Sequence, residues 1–246
     1  VAEGYIESIP KSGYIVTDTN FTFNAQQSIQ DIPNQKKEEY LYDFFPARLS
    51  QDSFPLKLWK RLFNKAIDAS LDFGAYCDNG QGDIRLREQI AQYITESRGV
   101  RCHSNQVVVG CGFADSMGLL AKILKRKYKT FATENPGYHI ARKVFDAYDY
   151  PIKKISIDKN GLRLDELYES KAKLIYITPS HQYPTGVIMP ISNRQKLLQW
   201  AQDVDGLIIE DDYDSELSYI TRPIPSLQGL DNNNRVVYLG TFAKSL

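Results

Sequence analysis

The sequence predicts an α/β fold of three layers, a mostly parallel sheet flanked by helices. Short apolar runs rich in β-branched residues recur at 107–109, 130–132, 152–157, 174–177, 207–209 and 236–239. They lack polar/apolar alternation, the pattern of strands buried on both faces. Stretches with helical spacing separate several of them, at 113–125, 137–147 and 192–203. Strands separated by helices imply crossovers, and crossovers imply parallel pairing.

Composition sets the outer bounds. The chain has 246 residues, 30 basic and 30 acidic side chains and 42% hydrophobic content. This suffices for one large domain or two small ones and excludes a disordered chain. No apolar run reaches the ~18–20 residues of a membrane helix. The neutral balance gives no whole-chain argument for nucleic acid or an anionic membrane. Cys77, Cys102 and Cys111 are far apart with no CxxC spacing, so a reduced, cytoplasmic setting is expected. His103, His139 and His181 share no helical spacing, which argues against zinc. The opening Val1-Ala2-Glu3-Gly4 has neither the basic start nor the apolar stretch of a signal peptide.

From the N-terminus, residues 1–16 read as a hairpin. Tyr5, Ile6 and Ile9 precede Pro10-Lys11-Ser12-Gly13, and Tyr14-Ile15-Val16 follow the turn. Residues 17–40 are polar and read as a linker. Apolar density rises at Tyr40-Leu41-Tyr42-Asp43-Phe44-Phe45, where a domain running over 41–246 begins. Helical spacing then predicts helices over 56–71, carrying Leu58, Leu62, Phe63 and Ile67, and over 84–97, carrying Leu86, Ile90, Tyr93 and Ile94.

In an open α/β sheet, ligands bind beyond the carboxyl ends of the strands. After 107–109 comes Gly110-Cys111-Gly112-Phe113-Ala114, leading into a helix. Two glycines there either let backbone N–H groups approach an anion or form an ordinary strand-to-helix turn. The basic run over 122–129 follows, as cations suited to a helix C-terminus or as a DNA contact. After 130–132 comes Glu134-Asn135-Pro136-Gly137-Tyr138, whose turn presents Tyr138 either to a ligand or to helix-start packing. After 174–177 comes the polar, proline-bounded loop TPSHQYPTG, 178–186, of a kind that serves ligands.

After 207–209 comes Glu210-Asp211-Asp212-Tyr213-Asp214. Four carboxylates in five positions need a neutraliser: a divalent metal, a protonated ligand nitrogen, or arginines. A two-metal phosphotransfer site is one alternative; a solvated acidic turn is another. After 236–239 comes Gly240-Thr241-Phe242-Ala243-Lys244, with a lysine just past a buried strand and suited to a Schiff base. Together these pieces meet the needs of a pyridoxal phosphate site. A lysine holds the aldehyde, a carboxylate pairs with the pyridine nitrogen, an aromatic stacks on the ring, and a helix N-terminus takes the phosphate.

The motifs ENPGY (134–138), TPSHQYPTG (178–186), EDDYDSEL (210–217) and YLGTFAKSL (238–246) resemble, in this order, the fold-type-I aminotransferases. They closely resemble one branch of these, the MocR-type regulators of the GntR family, which join a winged-helix DNA-binding domain to an aminotransferase-like domain. GYIESIPKSGYIV resembles the wing hairpin, and YDFFPARLSQDSFPLKLWKRL (42–62) the entry into the aminotransferase domain. The resemblance spans nearly the whole chain. It implies a chain beginning within the winged helix and ending two residues past the cofactor lysine.

The resemblance also implies roles. Lys244 would hold pyridoxal 5'-phosphate as a Schiff base, and Asp211 would pair with the ring nitrogen. Tyr213 would bond the phenolic oxygen, and Tyr138 would stack on the ring. Gly112, Phe113 and Ala114 would offer amides to the phosphate, and Thr241 its hydroxyl. Tyr76 would reach the phosphate of a partner subunit, implying a homodimer. His181 would lie near the ring or an amino-compound effector. DNA is the implied partner of the winged helix, with a transaminase acting on an amino acid as the alternative function. Two positions depart from the pattern: Tyr183 stands where aminotransferases have Asn before Pro-Thr-Gly, and Ala243 where related sequences often have Ser.

Overall fold

The computed structural model describes residues 4–17, 40–42, 54–69, 80–214 and 225–242. The chain divides into two compact units, Val1–Ser53 and Phe54–Leu246. In the first, strands β1 (Ile6–Ile9) and β2 (Gly13–Val16) pair antiparallel, with Ile6 opposite Val16 and Ile9 opposite Gly13. This is the hairpin expected from the two β-rich runs around Ser12-Gly13.

The second unit begins with α1 (Leu56–Ala69) and α2 (Ile84–Arg98). Asp83 caps α2 by accepting the Leu86 amide, and Gly99 ends it in the left-handed conformation. A 3-10 turn at Ser104–Gln106 leads to α3 (Phe113–Leu124). Strand and helix then alternate: β3 (Phe131–Asn135), α4 (His139–Asp146), β4 (Ile152–Asp158), β5 (Gly161–Leu162), α5 (Leu164–Glu169), β6 (Leu174–Ile177), α6 (Ile191–Asp203), β7 (Leu207–Asp212), α7 (Leu227–Leu230) and β8 (Val236–Gly240).

The sheet order is β5-β4-β3-β6-β7-β8, parallel except for the short β4–β5 pair. The chain therefore winds outward from β3 to β4 and then returns to β6 on the other side of β3. That reversal opens a crevice at the carboxyl ends of β3 and β6, the topological switch point where α/β sheets bind ligands.

Side chains alternate across the sheet and build a core on each face. One face packs Ile155, Ile175, Ile177 and Ile208 with Leu167 of α5 and Leu197 and Trp200 of α6. The other packs Phe131, Tyr176 and Ile209 with Met117 and Ala121 of α3 and Phe145 of α4. Phe131 and Phe145 stack with ring centroids 3.8 Å apart. Each such fully buried side chain contributes about 2–3 kcal/mol. This is the expected three-layer arrangement.

Residues 107–109 are a correction. They form no strand: Val108 is 58% exposed, and the Val109 amide bonds the Gln81 carbonyl. β-branched residues suit a strand but cannot make one without a neighbouring ladder. Conversely, β3 runs on to Asn135, so Glu134 is a buried strand residue and not part of a turn. In the basic run, Lys122 occupies the last turn of α3, Lys125 bonds the Asp149 carbonyl at 2.6 Å, and Lys127 pairs with Asp205 at 3.1 Å. Among the described residues no helix is long and apolar enough to cross a membrane.

Candidate functional site

The carboxyl edge of the sheet brings together most of the residues singled out from the sequence. β7 sends Ile208, Glu210 and Asp212 to one face and Ile209 and Asp211 to the other. Asp211 is 5% exposed and accepts a hydrogen bond from the Tyr176 hydroxyl, on the neighbouring strand β6. Burial, then the charge of Asp211, holds the Tyr176 phenol well above its ordinary pKa, so it remains a donor.

Tyr138 follows the Pro136-Gly137 turn and begins α4. A Cβ on Gly137 would lie 2.3 Å from the Glu134 carbonyl oxygen, so only glycine permits the chain to turn this tightly. The Tyr138 ring meets Phe113 edge-on at 5.0 Å and Tyr183 at 5.5 Å. Its phenol is raised by burial and then by Asp211, which places ring and carboxylate in one electrostatic neighbourhood. Tyr183 in turn meets the Tyr213 ring at 6.4 Å. Burial, followed by Asp214 and Asp211, pushes the Tyr213 phenol upward.

At the start of α3, Gly112 has φ +110, and among the described residues nothing lies within 4 Å of where its Cβ would be. The Phe113 and Ala114 amides follow in the first helical turn, where no preceding carbonyl serves them. Asp115 takes the Cys111 amide at 3.2 Å. Thr241 follows β8 directly. The imidazole Nδ1 of His181 lies 3.0 Å from both carboxylate oxygens of Asp214, so this histidine is oriented by an acid across the loop ends. Lys244 and Tyr76 lie outside the described residues.

The acidic run separates into individual settlements. Glu210 accepts the Leu227 and Gln228 amides at 2.7 and 2.9 Å. Asp211 faces Tyr176, Asp214 faces His181, and Asp212 pairs with Arg98 at 2.6 Å. Arginine, one of the three expected neutralisers, thus serves Asp212. These carboxylates are partnered one by one, with Glu210 and Asp212 on one face of β7 and Asp211 on the other. Among the described residues no group of three His, Cys, Asp or Glu is arranged to hold a metal ion.

Four residues have supporting roles that the sequence did not reveal. Tyr176 orients Asp211; its signal was a polar-tipped aromatic within a buried run, whose hydroxyl requires a partner. Arg98 is 6% exposed; burial opposes its charge, and the adjoining Asp212 overrides that and raises its pKa. Arg194 is fully buried beneath the 178–186 loop and donates to the carbonyls of Pro179, Met189 and Pro225. Glu134 joins β3 to that loop. Its Oε2 accepts the Thr178 amide and hydroxyl at 3.1 and 2.8 Å and the Gln182 amide group at 3.3 Å. Burial raises the Glu134 carboxyl to about 7 and the Glu210 carboxyl likewise to about 7.

Residues 48–246 match the family model described as aminotransferase class I and II. The HTH-type transcriptional regulator YhdI of Bacillus subtilis is 41% identical over all of this chain and 53% of its own length. The probable rhizopine catabolism regulatory protein MocR of Rhizobium meliloti is 32% identical, again over the full chain and 53% of its length. Among solved structures, an archaeal alanine:glyoxylate aminotransferase superposes with TM-score 0.74 at 28% identity, covering 80% of this chain and 51% of its own. The kynurenine aminotransferase of Pyrococcus horikoshii, solved in complex with PMP, superposes with TM-score 0.70 at 25% identity, covering 79% and 50%. The chain thus spans about half the length of the relatives it matches.

Proposed function

The chain belongs to the class I and II aminotransferase family, and from that premise we propose that it is the pyridoxal 5'-phosphate-binding, sensing part of a transcriptional regulator. The observation that carries the cofactor is Asp211: a buried carboxylate at the end of a parallel strand, oriented by Tyr176, within electrostatic reach of the Tyr138 ring. The rest of the donor set fits the same group. The open backbone at Gly112 and the first amides of α3 suit a phosphate, and the tyrosines around Tyr183 suit an aromatic ring.

When bound, the cofactor supplies an aldehyde that condenses with amines and a ring that withdraws electrons. In this reading Lys244 anchors it as a Schiff base, and Asp211 keeps the ring nitrogen protonated. Tyr138 covers the ring, Tyr213 donates to its phenolic oxygen, and Phe113, Ala114 and Thr241 take the phosphate with the backbone of Gly112. His181, oriented by Asp214, serves an amino-compound effector. Tyr76 reaches the phosphate of a second copy, making the unit a homodimer. The apolar face of α1 supports such a partner, since Leu58, Leu62, Phe63 and Ile67 are all exposed.

The regulatory half of the reading rests on the relatives, whose likeness runs across the hairpin as well as the sheet. Residues 1–16 are then the wing of a winged-helix DNA-binding domain, 17–40 a linker and 41–246 the aminotransferase-like domain. The test uses the full-length protein and DNA from upstream of its own gene, with affinity measured by fluorescence anisotropy. Pyridoxal phosphate, or an amine added with it, is expected to change the affinity by roughly 5–150-fold. Identical affinities in all conditions would refute sensing. Sustained multiple-turnover transamination of an amino acid would instead favour the second reading, a transaminase. The likeness to the aromatic-amino-acid aminotransferase of Thermococcus litoralis, 27% identical over 79% of this chain, supports that alternative.

A further inference from the structure

Arg98 closes α2 and lies beneath the carboxyl edge, with the exposure of a core residue. Its Nε donates to Asp212 Oδ2 at 2.6 Å, and its Nη2 to Asp212 Oδ1 at 3.4 Å. Nη2 also donates to the Ser180 hydroxyl at 2.7 Å. Tyr238 of β8 donates to Asp212 Oδ2, the oxygen that Arg98 Nε serves, at 2.8 Å. One guanidinium thereby ties α2 to the loop after β6, to the end of β7 and, through Asp212, to β8. Those three segments carry His181, then Asp211 and Tyr213, then Thr241.

Asp212 sits between Asp211 and Tyr213 in sequence and on the opposite face of the sheet from Asp211. Strand side chains alternate, so holding Asp212 on one face fixes the rotation of β7 that turns Asp211 to the other. Ser180 adjoins His181 in the same way. We propose that Arg98 is a positioning residue for the cofactor edge, clamping Asp212 and Ser180 so that Asp211 and the 178–186 loop are held in register against the bound ring. This rests on the reading that the chain holds pyridoxal phosphate. A planar fork can serve both Asp212 oxygens and Ser180 together, whereas an ammonium is a single point.

A merely structural arginine would affect stability alone. The test is therefore R98K in the full-length protein, with three readouts: the melting temperature without cofactor, the dissociation constant for pyridoxal phosphate, and the pH midpoint of the bound cofactor's visible absorption. R98K is expected to fold with the wild-type circular dichroism spectrum and to bind pyridoxal phosphate about tenfold more weakly. Its absorption midpoint is expected to move by about one pH unit, the size of change when a buried charge pair drifts by roughly an ångström.

S180A, which removes one contact and leaves the ion pair, should move the midpoint in the same direction by less. It keeps the question open to experiment should R98K fail to fold. A variant that melts lower yet keeps the wild-type midpoint and affinity would overturn the proposal. Wild-type protein that binds no pyridoxal phosphate would remove the premise as well, so the two failures are distinguishable.

Discussion

Glu134 accepts three hydrogen bonds on Oε2, while its buried Oε1 has no hydrogen-bond partner among the described residues. Burial raises this carboxyl from its ordinary 4.5 to about 7 in the folded protein. The folded state therefore holds a proton that the unfolded chain releases first. The resulting stabilisation is complete below about pH 4.5 and is lost as pH rises through about 7, on the order of 3 kcal/mol in all. E134Q keeps an oxygen acceptor for Thr178 and removes the titration. Urea unfolding at pH 5, 6, 7 and 8 should show the wild-type protein losing more stability with rising pH than E134Q. Glu210 contributes a similar slope, but equally to both proteins. Parallel curves would show that Glu134 is ionised throughout.

The same residue scale separates what the sequence disclosed from what it hid. Asp211, Tyr138 and the start of α3 were legible because each lies in a motif of recognisable order, although only Tyr138 follows a strand. Their supports were not. Tyr176, Arg98 and Arg194 act over sequence separations that no local pattern encodes. Arg98 and Asp212 are 114 positions apart and meet only because β7 lies where α2 ends.

Among elements, the longer helices and most strands followed from the sequence pattern because burial on one or both faces imprints itself on the sequence. The run at 107–109 failed because pairing depends on a neighbour that composition does not reveal. The short β5, α5 and α7 are too brief to carry a period. The turn between β3 and α4 shows the opposite case, a local feature fixed by one residue. With the Glu134 carbonyl 2.3 Å from its would-be Cβ, Gly137 tolerates no side chain without backbone movement. G137A should cost about 1–3 kcal/mol of stability and displace Tyr138. Thermal unfolding measures the first effect, and weakened pyridoxal phosphate binding reports the second. Wild-type values for both would mean that the turn relaxes freely.

At the scale of the molecule, the sheet reversal between β3 and β6 explains why residues from four separate motifs meet at one edge. The exposed apolar face of α1 and the hairpin at 6–16 contribute none of the residues described at that edge. In the proposed function this edge binds pyridoxal phosphate through Lys244. That binding is tested most directly by adding pyridoxal phosphate to the full-length protein, reducing with borohydride and mapping the modified lysine by mass spectrometry. A single phosphopyridoxyl adduct on Lys244, lost in K244A, is expected. An unmodified Lys244, or an adduct confined to other lysines, would contradict it.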